Sequence, residues 1–334
     1  MSESKARKKP VQLRKRFIIV PALALLALLT HAGFIQIQEY VSAQKAARWD
    51  AYQTARDKGE LETALKILNE VIDDTEPAGQ DRYRLWRAEL NHELGNADAA
   101  FDELDDLIKV DESTGAIRYR ATLHYRAGRM KEAVRDIELL PTVARDVDDY
   151  GLLGVCKLSE PDEAIKILTE GIEHFEPLTK KDHYWSVKET LPKLYDLRAT
   201  AYMLARDPEA ALQDLNVVVD AGSPSATTLA IRARTLAELG QIDEATIDLH
   251  NALTLEEESA FLVNTRAIIQ IAKHDFRAAQ KTLEQCLQKF PDYKQAKTTL
   301  SLIRVGNGEG TEEEKSKAWG FVLEQALREK AEAP

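Results

Sequence analysis

Small and aliphatic residues recur along this chain at a helical spacing. In seven places an alanine is followed four positions later by an aliphatic residue, and residues four apart share one face of an α-helix. The alanines are Ala64, Ala100, Ala133, Ala164, Ala211, Ala245 and Ala279. Their partners are Leu68, Leu104, Ile137, Leu168, Leu215, Leu249 and Leu283. Five positions before each alanine stands a turn residue: Gly59, Gly95, Gly128 and Gly240, with Ser159, Arg206 and His274 in weaker copies. The pattern predicts seven helix pairs, each closed by a tight turn.

The spacing of the seven copies indicates a repeat family. Successive alanines are 36, 33, 31, 47, 34 and 34 residues apart. The last two values match the 34-residue period of tetratricopeptide repeats, and the sequence resembles that family over residues 45–291. The best copy, 231–253, places Ala233, Gly240, Ala245, Leu249 and Ala252 at the family's small, turn, small, large and small positions, and Pro291 ends the last copy. The family's tryptophan position is mostly another residue here. The fourth copy lacks a few residues around 157–160, so we expect its first helix to be short or irregular.

The resemblance implies an all-α, right-handed superhelical solenoid of about seven helix pairs, with a concave surface lined by the first helices. In the family, inward-facing positions include those one and four residues after the small residue of the first helix. Carried over, they form a candidate partner-binding groove of Thr122, Tyr125, Thr200, Met203, Arg234, Ala237, Ile268 and Ile271. The lining is mixed and mostly neutral. The Lys-Asn-Lys-Arg carboxylate clamp of chaperone-binding members is not visible, so recognition of an acidic C-terminal tail is not predicted.

An arginine and an acid recur together, 16 residues apart. The pairs are Arg87/Glu103, Arg120/Asp136, Arg198/Asp214 and Arg232/Asp248. Copies one and four have neither member, with Ala51/Ile67 and Gly151/Ile167 in these places, and copy seven keeps Arg266 opposite Thr282. Joint presence and joint absence predict a structural salt bridge between the two helices of a repeat, because a partly buried arginine is costly without a carboxylate.

The long spacing between copies four and five falls in residues 176–196. We expect a loop at 176–181, followed by an extended helix that bends at Pro192. Tyr184 and Trp185 are candidate surface aromatics for a partner, because aromatic residues dominate interface hot spots. The pattern favours the alternative, in which they cover a neighbouring repeat.

Residues 292–334 predict a C-terminal cap. A capping helix is expected at 292–305, then a glycine-rich break at 306–310. Thr311 and Glu314 form a capping box for a final helix through about residue 330. We expect this helix to fold back on the solenoid rather than offer its apolar stripe to a partner.

The N-terminal region predicts a membrane anchor. Residues 17–38 are 22 consecutive residues without a formal charge, with His31 counted as neutral, and their apolar part reaches across a hydrocarbon core of about 30 Å. Residues 1–16 form a basic tail with a net charge of +6, so the positive-inside rule keeps this tail cytoplasmic and exports the rest. The alternative is a secreted or periplasmic protein, released by signal cleavage after Ala43. The apolar run is longer than a usual signal core, which favours an uncleaved signal anchor in the plasma (inner) membrane.

The charge of the remaining chain argues against nucleic acid as a partner. The net charge is −11, and setting aside the +6 of residues 1–16 leaves −17. An acidic body repels phosphate backbones and gains nothing from the release of their counterions.

The sequence shows no pattern typical of catalysis, metal binding or cofactor binding. Its seven histidines form no HExxH motif, its two cysteines form no CxxC motif, and neither GxSxG nor a Walker loop occurs. We therefore expect no enzyme, no metal and no cofactor. The sequence favours a membrane-anchored scaffold or adaptor that binds a protein or peptide partner on the extracytoplasmic (periplasmic) side. A structural subunit of a larger envelope assembly is the alternative, and an enzyme with an unrecognised site ranks third.

Overall fold

The computed structural model describes residues 43–180, 185–222, 224–306 and 311. Within these ranges all regular structure is helical and no strand occurs, so the predicted all-α class is confirmed. The α-helices are α1 (43–57), α2 (Leu61–Asp73), α3 (Asp81–Glu93), α4 (Ala97–Asp111), α5 (Thr114–Arg126), α6 (Met130–Glu138), α7 (Val147–Cys156), α8 (Pro161–Phe175), α9 (Trp185–Thr190), α10 (Pro192–Leu204), α11 (Pro208–Asp220), α12 (Ala226–Glu238), α13 (Ile242–Leu255), α14 (Ala260–Ala272), α15 (Phe276–Lys289) and α16 (Lys294–Gly306). Short 3-10 helices lie at Pro77–Gly79, Thr142–Ala144 and Glu176–Lys180.

The chain divides into two compact units, with the boundary between Arg120 and Ala121 inside α5. In the first unit α2 packs against α3, and α3 packs against α4. Its core contains a stack of aromatic rings, in which Trp49 lies 4.9 Å from both Tyr52 and Trp86, measured between ring centroids. The first unit is therefore built from consecutive helices that cover one another's apolar sides.

In the second unit, helix pairs also pack in sequence order. The pairs α7–α8, α10–α11, α12–α13 and α14–α15 each form a contact, and the first helices α10, α12 and α14 contact one another in turn. The predicted repeat is confirmed in both units, because all seven alanines have no exposed surface and all seven aliphatic partners are buried. Small buried side chains allow the two helices of a pair to approach closely, which is why alanine recurs at this position.

The predicted turn residues adopt the left-handed backbone region in six of the seven copies. The φ angles are +71° at Gly59, +82° at Gly95, +74° at Gly128 and +76° at Gly240. Arg206 and His274 share this conformation, with φ of 67° and 61°. Glycine enters this region without steric cost, whereas a residue with a Cβ is strained there.

Copy four has the short first helix that its missing residues predict. Helix α7 contains 10 residues, against 13 in each of α10, α12 and α14. It lies close to α8, since a Cβ added at Gly154 would come within 2.5 Å of the Cδ2 atom of Leu168. Because Gly154 has no side chain, the shortened α7 keeps its contact with α8.

The insertion between copies four and five differs from the prediction. A 3-10 helix at Glu176–Lys180 occupies most of the expected loop, and α9 and α10 are two separate helices instead of one helix bent at Pro192. Pro192 is the first residue of α10. Proline lacks the N–H that a helix interior needs, but that N–H has no partner in the first turn, so proline starts a helix here rather than bending one.

The C-terminal part of the described chain is the capping helix α16. Its residues Ala296, Leu300 and Ile303 are buried in one core cluster with residues of α14 and α15, as the spacing predicts. The basic tail, the predicted membrane helix at 17–38, the residues 307–310 of the glycine-rich break and the final helix lie outside the described residues. Among the helices that are described, none combines the length and the apolar character needed to cross a bilayer.

Candidate partner-binding surface

The arginines that precede the first-helix alanines hold the repeats together. Arg198 donates from Nε and Nη2 to the two carboxylate oxygens of Asp214, at 2.8 Å each. Arg232 donates in the same way to Asp248 at 2.7 and 2.8 Å. Arg87 donates to Glu103 at 2.6 and 2.8 Å. All three contacts join the two helices of one repeat through a two-pronged ion pair, so these guanidinium groups are already occupied.

The carboxylates of Asp214 and Asp248 raise the pKa of the arginines that they bind. Burial lowers the pKa of Arg198, but the hydrogen bonds and the charge of Asp214 outweigh it, and the pKa is raised above its ordinary value. For Arg232 the hydrogen bonds to Asp248 are the largest influence and likewise raise the pKa. The guanidinium groups of Arg198 and Arg232 therefore stay protonated inside the stack.

A third bond from each arginine reaches the preceding repeat. The Nη1 atom of Arg198 donates to Thr169 at 2.9 Å, that of Arg232 donates to Asn216 at 3.2 Å, and that of Arg87 donates to Asn69 at 3.1 Å. Arg120 donates from the same atom to Asp105 at 2.6 Å. These four acceptors, Asn69, Asp105, Thr169 and Asn216, all stand five residues after the second-helix alanine of their copy. Arg87, Arg198 and Arg232 thus each connect three helices from two repeats.

Two arginines of this register, Arg120 and Arg266, differ from the other three. Arg120 and Asp136 lie in different units, so their predicted pairing stays a prediction; Asp136 is buried, with one oxygen 3.7 Å from Nε2 of His124. Arg266 of copy seven faces no acid at the usual position and pairs at 2.8 Å with Glu258, at the surface.

The predicted groove residues of the second unit mostly remain accessible. We call the side chains Thr200, Met203, Arg234, Ile268 and Ile271 on α10, α12 and α14 the first-helix face, and all five are partly exposed. Thr122 and Tyr125 on α5 are partly exposed as well. The exception is Ala237, which is 5% exposed and belongs to the core cluster. Its small side chain is covered by the packed neighbours of α12, so its assignment to the groove is wrong.

The described residues do not test the candidate surface aromatics. Tyr184 lies outside the described residues, and Trp185 is described only as the first residue of α9. Their role as a partner anchor stays a prediction.

Two polar residues that the sequence analysis did not single out lie beside this face. Asp196 on α10 and Asn264 on α14 both stand three positions before the first-helix alanine, and each has a buried side-chain Oδ1 without a hydrogen-bond partner. Burial raises the pKa of Asp196, and a hydrogen bond from Thr228 opposes the shift. The sequence signal at this position was weak, because copies one, two and six carry Trp49, Leu85 and Ala230 there, whereas copies three and four carry Arg118 and Asp149.

The composition of the first-helix face is typical of a binding surface. In the described part of the chain, no group of three or more His, Cys, Asp or Glu side chains could hold a metal ion. The face combines apolar side chains with a hydroxyl and a guanidinium group, a composition common in protein interfaces.

Comparisons with known proteins support the fold. No protein-family model matches the chain. A TPR repeat-containing thioredoxin from Arabidopsis thaliana is 35% identical over 100 residues, which is 29% of this chain and only 26% of that relative's length. The chain thus spans about a quarter of this curated relative.

Solved structures cover far more of the chain. A tetratricopeptide repeat protein from Parabacteroides merdae matches 78% of this chain and 98% of its own, with 14% identity and a TM-score of 0.55. The apo form of RapI covers 85% of this chain and 87% of its own, with 10% identity and a TM-score of 0.55. Pseudomonas aeruginosa pilF covers 65% and 95%, with 13% identity and a TM-score of 0.51. The helix pairs of this chain therefore have the tetratricopeptide-repeat fold.

Proposed function

We propose that this protein is a membrane-anchored scaffold that binds a protein or peptide partner through its first-helix face, on the extracytoplasmic side of the membrane. The observation that carries the proposal is that some of its buried polar groups are paired within the protein and others are not. The guanidinium groups of Arg198 and Arg232 form structural ion pairs. The buried Oδ1 atoms of Asp196 and Asn264, in contrast, have no hydrogen-bond partner. Buried polar atoms in folded proteins are normally hydrogen-bonded, so unpaired ones beside an accessible face suit a surface that a partner completes.

The shape of the fold family also supports this proposal. Stacked helix pairs present a row of first helices, and such rows suit an extended peptide or a partner helix. Met203 and Ile268 supply apolar surface on neighbouring helices, and both are partly exposed.

Site-specific photocrosslinking tests the binding face. A photoreactive amino acid is placed at Met203 or Ile268, and, as matched controls, at Val217 and Ile247 on the second helices, which are 44% and 58% exposed. We expect the first two positions to crosslink one common partner in cells of the source organism and the controls not to do so. A partner captured only from Val217 and Ile247 would refute the first-helix face as the binding surface.

A second candidate function has an observation in its favour. Exposed apolar side chains lie on or beside the second helices, including Val110, Val217, Ile247 and Leu255. Such positions would suit a structural subunit of a larger envelope assembly. Size-exclusion chromatography with light scattering separates the two functions, because a clean monomer disfavours the assembly.

The anchor and its orientation are supported by the uncharged run at 17–38 and the basic residues before it. Sequencing the N-terminus of the mature protein tests cleavage, since a signal peptide cut after Ala43 leaves Gln44 first. A cysteine introduced at Val143, which is 88% exposed, tests the side of the membrane. We expect a membrane-impermeant maleimide to label it in cells whose inner membrane is intact, and protection until that membrane is broken would refute the orientation.

A further inference from the structure

Aromatic side chains of the first unit form a cluster close to the N-terminal ends of its first helices. Trp49 stacks on Tyr52 and on Trp86, with ring centroids 4.9 Å apart in both pairs. The ring of Tyr83 lies edge-on to that of Trp86, at 5.6 Å between centroids. Trp49 stands six residues after the first described residue of α1, and Trp86 stands five residues after the start of α3. Because a helix rises about 1.5 Å per residue, the cluster lies within about 10 Å of both of these points.

The core covers these aromatic rings only in part. Tyr52 is 4% exposed, but Trp49, Tyr83 and Trp86 are each partly exposed. The indole N–H groups of Trp49 and Trp86 donate to no other described residue, and neither is shut off from solvent. The cluster therefore has a buried apolar side, which packs the repeats, and a polar edge that solvent reaches.

Arg82 extends this surface. Its side chain is exposed, and its guanidinium carbon lies 5.4 Å from the ring centroid of Trp86 and 5.7 Å from that of Tyr83. No ion pair joins Arg82 to another described residue. Long cationic side chains lie in this way at membrane interfaces, with the stem on an apolar surface and the charged head toward water. We call Trp49, Arg82, Tyr83 and Trp86 the aromatic patch.

The position of the patch along the chain limits what it can meet. The uncharged run that is predicted to span the membrane ends at residue 38, and α1 is described from residue 43. The chain between these two residues reaches at most about 18 Å when fully extended. In an anchored protein the start of α1 therefore stays beside the bilayer surface. A tether this short gives a high effective concentration, so even a weak attraction between the patch and the lipid is sufficient.

We propose that the aromatic patch docks on the membrane to which the protein is anchored, with the indole rings of Trp49 and Trp86 among the lipid headgroups and Arg82 beside the phosphates. This inference rests on the anchoring in the proposed function and adds the surface through which the first unit meets the bilayer. Tryptophan is enriched at this depth because it combines an apolar ring with a polar N–H.

Tryptophan fluorescence in lipid nanodiscs tests the docking. The full-length protein with Trp185→Phe and Trp319→Phe keeps Trp49 and Trp86 as its only tryptophans. In phosphatidylcholine nanodiscs whose headgroups carry a nitroxide quencher, we expect these two residues to lose most of their fluorescence. The matched control replaces every tryptophan by phenylalanine and carries Lys58→Trp, at an exposed position about 14 Å farther along the axis of α1. Its fluorescence should be largely retained, and circular dichroism checks that both variants keep their helix content.

A lengthened tether separates docking from simple proximity. A flexible Gly-Ser insert of about 20 residues, placed between residues 40 and 41, adds a mean reach of about 25 Å. We expect Trp49 and Trp86 to stay quenched in this variant, because the patch itself holds the lipid. Arg82→Glu in the same background should relieve the quenching. Lys66→Glu is the same charge change at an exposed position on α2, and it should leave the quenching unchanged.

The outcomes distinguish this inference from the anchoring. A full-length protein that does not enter the nanodiscs refutes the anchor, and the inference with it. A protein that enters them but loses its quenching with the longer tether, or whose Lys58→Trp control is quenched equally, refutes the patch and leaves the anchor standing. Exposed acids such as Asp50 and Asp74 lie among the cations of this region, so ring insertion rather than net charge carries the contact. Quenching that appears only after part of the lipid is replaced by anionic phosphatidylglycerol would therefore also overturn the proposal.

Discussion

The ion pair between Arg232 and Asp248 can be replaced by the residues that copy one uses in the same register. Copy one carries Ala51 and Ile67 at the two positions, so the test substitutions are Arg232→Ala and Asp248→Ile, singly and together. The side chains are 18% and 4% exposed. Either single change leaves one charge in the stack without its partner, for which we expect a loss of about 3 kcal/mol in the free energy of unfolding.

The double substitution removes both charges at once. Replacing a buried ion pair by apolar residues is often close to neutral, although the loss of the arginine stem and of its bond to Asn216 adds a cost. We therefore expect the double variant to lose about as much as one single variant, which corresponds to a coupling energy of about 3 kcal/mol.

Urea denaturation followed by circular dichroism measures these free energies, and hydrogen exchange in α12 and α13 shows whether the effect is local. Arg266→Ala is the matched control, because Arg266 occupies the same register but pairs only with Glu258, with exposures of 38% and 40%. It should cost less than about 1 kcal/mol. Single variants that behave like this control, or a double variant that costs the full sum, would refute the structural role of the pair.

Three further predictions concern individual positions. Gly154→Ala should destabilise the protein by about 2 kcal/mol, because the new Cβ meets the fully buried Leu168; an unchanged melting temperature would contradict this packing. Arg206→Gly should stabilise by about 1 kcal/mol, because it relieves a φ of 67°; a lower melting temperature would contradict the strain. Burial raises the pKa of Asp196 and Thr228 opposes the shift, so the folded state holds this proton more tightly than the unfolded state. The charged carboxylate therefore costs stability above its ordinary pKa. Asp196→Asn should stabilise by about 1 kcal/mol at pH 7, and the gain should vanish near about pH 3; a gain independent of pH would exclude the charge as its cause.

Local features of the repeat were predictable from the sequence. The spacing of Ala233 and Ala245 marks two buried helix faces, and Gly240 between them marks the reversal, because the steric reasons for these residues lie within a few positions of the chain. The joint presence of Arg232 and Asp248 predicted a contact that the structure contains.

Features that depend on stacking were harder to predict. The bond from Arg232 to Asn216 joins two repeats, and its acceptor varies between amide, hydroxyl and carboxylate, so no single residue type marks the position. The family register placed Ala237 on the accessible face, but the side chains of neighbouring helices bury it. Pro192 predicted an interruption of the helix, but the sequence pattern did not distinguish a bent helix from the start of a new one.

The arginine that joins three helices has a consequence for how the protein comes apart. A repeat array behaves as a row of neighbours, and its cooperativity depends on the coupling at each junction. Thr169 and Asn216 couple copies four, five and six through Arg198 and Arg232. Copy four has Gly151 where that arginine would be, so the junction of α6 and α7 has no such polar link. Copy seven lacks the link as well, because Arg266 pairs with Glu258. In denaturant, the array should first separate at these two junctions, and the block from α8 to α13, which Arg198 and Arg232 join, should unfold as one.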